Sequence, residues 1–157
     1  MLSKSQIARL EHQHDTLAEL LKGGSEEVWR RKPVPGKWSV FEQTAHLAAY
    51  QPTFYERLQR MAAEESPAFE RYVADNDPHF HECCTKPLPW LLEHIQTIRQ
   101  SINKHLQTLS EKDLQRTGLH PKYGKMTITV WTEFFLLHEA HHLFSIFMLA
   151  RDMNIDY

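Results

Sequence analysis

Cysteine is almost missing from this chain: there are two in 157 residues, adjacent at Cys83 and Cys84. Bridging neighbours would strain the peptide between them, so no disulfide framework is expected. Glycine is scarce too, at five, and strict apolar–polar alternation is hard to find, which argues against sheet. No apolar run approaches the roughly 18 residues of a membrane span. The opening "MLSKSQIARLEHQHD" has no apolar signal-peptide core, so a cytoplasmic location and no membrane contact are expected. Neither sign of charge dominates, with 18 Lys+Arg against 20 Asp+Glu. Without a basic stripe, nucleic acid is not an expected partner. The length fits one domain, 1–157, which buries roughly 68–70% of the unfolded chain's surface without staples.

What the chain has in excess is histidine, 11 in all. Five of them, His12, His14, His94, His105 and His120, sit among charged or polar residues and read as mostly surface. The others fall in more suggestive places, on the second and fourth of four predicted helices and in the connection between helices two and three. Helix one spans about Ser5 to Trp29, with a Gly-Gly pair at 23–24 that ends or kinks it. "KPVPGKW" is a turn. "SVFE" then announces helix two as a capping box of Ser39 and Glu42, and the helix runs through "AEE" with a kink at Pro52. Residues 66–86 form a long, irregular connection that includes Asp75, Asp77, His79 and His81, read either as a polar loop or as a lid or ligand donor. Helix three runs from Pro87–Pro89 to Leu109, "HPKYGKM" is a loop, and helix four starts at Thr127 or Thr129 and continues to Arg151. Four long helices predict an all-α four-helix bundle.

"LLHEAHHLF" in helix four holds His138, His141 and His142. Residues i and i+4 share a helix face, so His138 and His142 have the spacing of helical metal-binding pairs. His141, at i+3, competes, and spacing alone leaves that choice open. A third ligand is available in His46, within the apolar part of helix two. In an up-down-up-down bundle, helices two and four lie on the diagonal and run parallel. His46 is 7 residues past Ser39 and His138 is 11 past Thr127, so the depths agree to within a turn. Three imidazoles with one open position is a common catalytic zinc arrangement, and nickel also accepts imidazole.

The segments "GKWSVFEQTAHLAAYQ" and "HEAHHLFSI", with "LSEKDLQRTGLHPKYGKMTI" between them, resemble the second-helix, fourth-helix and lead-in signatures of the DinB/YfiT superfamily. The resemblance covers nearly the whole chain. It implies a four-helix bundle binding one divalent metal ion, zinc or nickel, through His46, His138 and His142. His141 is then a neighbour, and Glu42 and Glu139 are candidates for supporting or capping roles. Where that family usually has glutamine after the second histidine pair, this chain has Ser145, so that amide's role has no carrier at that position. Characterised relatives include transferases of low-molecular-weight thiols and an isomerase, and many members are named metal-dependent hydrolases. The resemblance thus implies transfer of a small-molecule thiol to an electrophilic substrate. The alternatives are a metal-dependent hydrolase and a non-catalytic stress-response or binding protein.

Tyr50, Trp131 and Phe135 are candidates to line the pocket, each weighed against plain core. No catalytic acid or base is assigned, and no organic cofactor is expected. Helix four is apolar nearly all round. Trp131, Phe134, Phe135, Leu137, Phe144 and Met148 are expected beside the histidines, leaving Leu136, Leu143, Phe147 and Ala150 as a second stripe for a homodimer, with packing under the 66–86 connection as the competing explanation.

Overall fold

A computed structural model describes residues 1–153; the last four positions of the expected 1–157 domain lie outside the described residues. Among the described residues the fold is all-α but for one small hairpin. Helix one of the sequence reading is three short helices, α1 (Lys4–His12), α2 (Asp15–Leu20) and α3 (Glu26–Trp29). Ser25 caps α3 through Val28 N–H. Trp29 is fully buried and donates its indole N–H to Leu21 O. A Cβ at Gly24 would collide with the Trp29 ring, so the second glycine is a packing requirement as well as a helix stop.

Helix α4 (Val40–Ala63) begins with the expected capping box: Glu42 N–H donates to Ser39 Oγ at 3.1 Å, and Ser39 N–H to Glu42 Oε2 at 2.8 Å. It runs through Pro52 without stopping. The 66–86 connection is more ordered than expected. After a 3₁₀ turn at Ala74–Asn76 it forms α5 (Pro78–Thr85), with Asp77 as N-cap and Pro78 in the first turn, both favoured there. Helix α6 (Leu88–Thr108) and a single turn, α7 (Glu111–Leu114), follow. The segment read as a loop is an antiparallel hairpin, β1 (Thr117–His120) with β2 (Gly124–Thr127). Gly124, at φ 73°, permits its turn. Thr127 then caps α8 (Ile128–Asp152) through Val130 N–H.

The bundle's topology differs from the simple up-down-up-down order. Helix α4 packs directly on both α6 and α8, while α1 packs on α6 and α8 and α2 on α8. The diagonals are therefore α1 with α4 and α6 with α8. Paired rings show the direction of α4 on α8: His46 meets His142, Tyr50 meets His138, and Phe54 stacks on Phe135 at 3.9 Å. Numbers rise on one helix as they fall on the other, so α4 and α8 are antiparallel neighbours. His46 reaches the pair on α8 because it lies near the start of α4 and His142 a similar distance from the end of α8.

The face of α8 is also rotated from the expected one. Phe135, Glu139, His142 and Ile146 point inward, flanked by Leu136, Leu143 and Ala150, all buried. Leu137 and Phe144 lie about 180–200° away at about 100° per residue and are 58% and 62% exposed. With Val130 and Phe147 they form the outward stripe. The residues expected to face a partner are thus mostly core, and two expected in the core face out. No helix among the described residues is long and apolar enough to cross a membrane.

Candidate metal centre

Three imidazoles meet where α4 crosses α8. His138 Nε2 lies 3.1 Å from His46 Nε2 and 3.1 Å from His142 Nε2, and the ligand atoms of all three fall within 4.8 Å of one another. At metal–nitrogen lengths of about 2.0–2.1 Å, neighbouring ligand nitrogens stand about 2.9 Å apart at a right angle and about 3.4 Å at a tetrahedral angle. The two spacings at His138 fall between these limits. His142 Nδ1 is hydrogen-bonded to Gln43 Oε1, an arrangement that requires Nδ1–H and leaves the Nε2 lone pair facing the other rings. His46 Nδ1 and His138 Nδ1 are buried without partners.

Protons alone do not satisfy this cluster. His138 Nε2 can donate to its neighbours or accept from one, and either choice leaves an imidazole N–H of the trio buried and unpaired. A central cation would use all three Nε2 lone pairs at once, with the Nδ1–H groups of His46 and His138 then left without a described acceptor. Burial, reinforced by the neighbouring imidazoles, holds the pKa values low: about 3 for His46, about 4 for His138 and about 2 for His142. All three are neutral near pH 7, the state a metal ligand needs. The residues present therefore fit a first-row divalent ion.

Aromatic rings wall the cluster. The half-buried Trp38 lies 5.1 Å from His46 and 6.3 Å from His142, Tyr72 lies 5.7 Å from His46, and Phe80 lies 6.3 Å from His46. Tyr50 packs 4.8 Å from His138, and its hydroxyl lies 3.5 Å from Arg57 Nη1. The other sequence candidates sit elsewhere. His141 is exposed on the far side of His142, ring edge to face at 5.2 Å. Glu42 caps α4 and pairs with Lys32 at 2.8 Å. Glu139 turns into the bundle core, where it pairs with Arg99 and accepts from Gln13 at 2.8 Å and Gln51 at 3.4 Å. Trp131 is core, packed on Phe69 and His120 away from the histidines. Phe135 stacks between Phe54 and Tyr50.

Of the connection, Asp77 accepts from Tyr72 O–H and His79 N–H, and His81 bonds Asp75 O. None joins the cluster; the connection contributes the rings of Tyr72 and Phe80 instead. Trp38, Gln43, Tyr72 and Phe80 were not identified from sequence, and only Gln43, one turn before His46 on α4, carried a helical-spacing signal. Among the histidines read as surface, only His12 is largely exposed. His14 is 11% exposed at its side chain, and His105 Nε2 is buried without a partner.

A helical bundle with an inward three-histidine cluster belongs to a recognisable class of candidate metalloproteins. The family model of the DinB superfamily matches residues 9–146, and the chain belongs to that superfamily. It is 26% identical over 135 residues to the uncharacterized protein YuaE of Bacillus subtilis, covering 78% of this chain and 83% of that one. It is 28% identical over 116 residues to a protein of Oceanobacillus iheyensis named "Putative metal-dependent hydrolase OB0782", covering 74% and 67%. Among solved structures it superimposes on YfiT from Bacillus subtilis with a TM-score of 0.87 at 22% identity, covering 99% of this chain and 92% of that one. YfiT is described as having "an unusual four-helix bundle topology", in keeping with the neighbour relations above.

Proposed function

We propose that this protein is a divalent-metal-dependent enzyme, with zinc or nickel held by His46, His138 and His142, that transfers a low-molecular-weight thiol to an electrophilic substrate. The observation that carries the reading is the makeup of the site: three neutral imidazoles and aromatic walls, with no carboxylate in contact among the described residues. An ion bound by three protein ligands keeps a position open for an outside ligand and supplies Lewis acidity that deprotonates a bound thiol or water at neutral pH. A thiol so activated needs no general base from the protein, whereas hydrolysis is commonly assisted by one. Gln43 holds His142 in the ligating tautomer, and Trp38, Tyr50, Tyr72 and Phe80 keep bulk water away.

The thiol comes from a co-substrate in this reading. Burial pushes the Cys83 thiol up to about 11 and raises Cys84 as well, so neither is a thiolate near pH 7. Hydrolysis is the second reading, favoured by the names of the relatives. The outward stripe of α8 supports assembly as a homodimer: positions 130, 134, 137, 141 and 144 repeat at heptad spacing. Light scattering of the Phe144→Glu variant beside the parent tests that assembly.

Elemental analysis of the purified, untagged protein beside His46→Ala tests the site. About one ion per chain, lost in the variant, is expected; full occupancy in the variant overturns the ligand set. A small thiol and an alkyl-halide electrophile are then supplied together. Conjugate formation dependent on His46 supports transfer, and a water-derived product alone supports hydrolysis.

A further inference from the structure

The turn leading into α4 carries four cations, and three are matched. Arg30 pairs with Glu26 at 2.8 Å, Arg31 with Glu27 at 3.1 Å and Lys32 with Glu42 at 2.8 Å. Lys37 has no ion-pair partner among the described residues. It lines a groove of about 460 Å³ together with Trp38, Gln43, Ser145, Met148 and Leu149. That volume suits a small molecule, and no acidic side chain lines it.

Two of these residues belong to both the groove and the histidine cluster. Gln43 accepts from His142 through Oε1, while its Nε2 donates to no described residue. Trp38 packs on His46 and His142, and its indole N–H likewise has no described acceptor. The residues lining the groove thus include one unpaired ammonium and two side chains whose N–H donors have no described acceptor, next to an apolar end formed by Met148 and Leu149. Donors without carboxylates select an anion, and the apolar end selects a carbon body attached to it.

We infer that this groove is a binding subsite for a small organic acid, carboxylate toward Lys37 and apolar body along Met148 and Leu149. Resting on the metal-enzyme reading, it assigns the substrate class: the molecule handled at the histidines carries an acidic group.

The probe pair is 4-phenylbutyrate and its uncharged amide, titrated into metal-free and metal-loaded protein. The readouts are the ¹⁵N–¹H signals of the Trp38 indole and the Gln43 amide, assigned with Trp38→Phe and Gln43→Leu. The acid is expected to shift both signals saturably and to bind about threefold or more tightly than the amide. The Lys37→Glu variant is expected to remove that preference while keeping the fold, since Lys37 is exposed. Equal binding of the two probes, no saturation below about 10 mM, or an unchanged preference in Lys37→Glu overturns the inference. The groove lies outside the histidines, so binding is expected without metal too. Failure to load metal would overturn the metal reading alone, and failure of the probe pair would overturn this subsite alone.

Discussion

Replacing Arg99 by methionine tests how the bundle tolerates charge at its centre. Arg99 is completely buried. Its guanidinium pairs with Glu139 on α8 and donates to Gln51 Oε1 on α4 at 3.3 Å and to Leu10 O on α1 at 3.3 Å. Arg99→Met leaves the Glu139 carboxylate, 2% exposed, with only the amides of Gln13 and Gln51. An uncompensated buried charge costs about 3–5 kcal/mol. With a urea dependence of about 2 kcal/mol per molar, the unfolding midpoint falls by roughly 2 M. The double variant Arg99→Met/Glu139→Leu removes both charges and is expected to recover most of that loss, because a buried pair is often no better than an apolar one. Urea unfolding followed by far-UV circular dichroism reads both variants. An Arg99→Met variant with an unmoved midpoint, or a double variant no more stable than Arg99→Met, would refute the argument.

The remaining expectations concern the site and its support. Gln43→Leu frees the His142 tautomer and should weaken zinc affinity about 10- to 100-fold in a chelator competition; unchanged affinity would remove Gln43 from the site's design. Metal-free protein should be most stable above about pH 6.5. On acidification the unfolded chain takes up protons at its three cluster histidines near that value, whereas the folded chain refuses them until about pH 4 and below. Urea midpoints measured from pH 8 down to 4.5 should therefore fall more steeply than those of a triple histidine-to-alanine variant, and equal slopes would count against the burial. Gly118→Ala puts a methyl 2.7 Å from Phe69 and 3.0 Å from Met61, which should cost about 1–3 kcal/mol in thermal or urea unfolding; a neutral result would mean the hairpin shifts freely.

Periodicity in the sequence was enough to find the three long helices and the Ser39 cap, because each buries a stripe that repeats every three or four residues. It was not enough to order them. The diagonal pairing depends on how the connections cross the bundle, and no residue pattern within a helix encodes that. The choice between His141 and His142 fails for a related reason. The two differ by about 100° around α8, and what turns His142 inward is the burial of Glu139 and Ile146 on its side, visible only once α4 and α6 are in place. Helix α5 was legible in principle, since Asp77-Pro78 is a helix start. Its dense His and Asp content instead drew attention as ligands. The hairpin was hidden because its strands are four residues each and hold onto Pro67 and Phe69 through Leu119, a contact distant in sequence. Trp38, Tyr72 and Phe80 reach the histidines from segments outside the long helices, where spacing rules do not apply.

The connection between α4 and α6 is fastened along its length. Pro67 and Phe69 hydrogen-bond Leu119, Arg57 holds Glu70 O, Tyr72 holds Asp77, and Arg30 binds Cys84 O and Lys86 O. At about 1 kcal/mol net for each of the five bonds that tie it to the rest of the molecule, lifting this wall would cost about 5 kcal/mol, and the open form would be about one molecule in several thousand. A ligand that had to enter by that route would lose apparent affinity by the same factor. Traffic to the histidines is then set by the side of the molecule that needs no unfastening, and exchange of the Phe69 and Leu119 amide hydrogens, which make the Pro67–Leu119–Phe69 bonds, should be among the slowest outside the long helices.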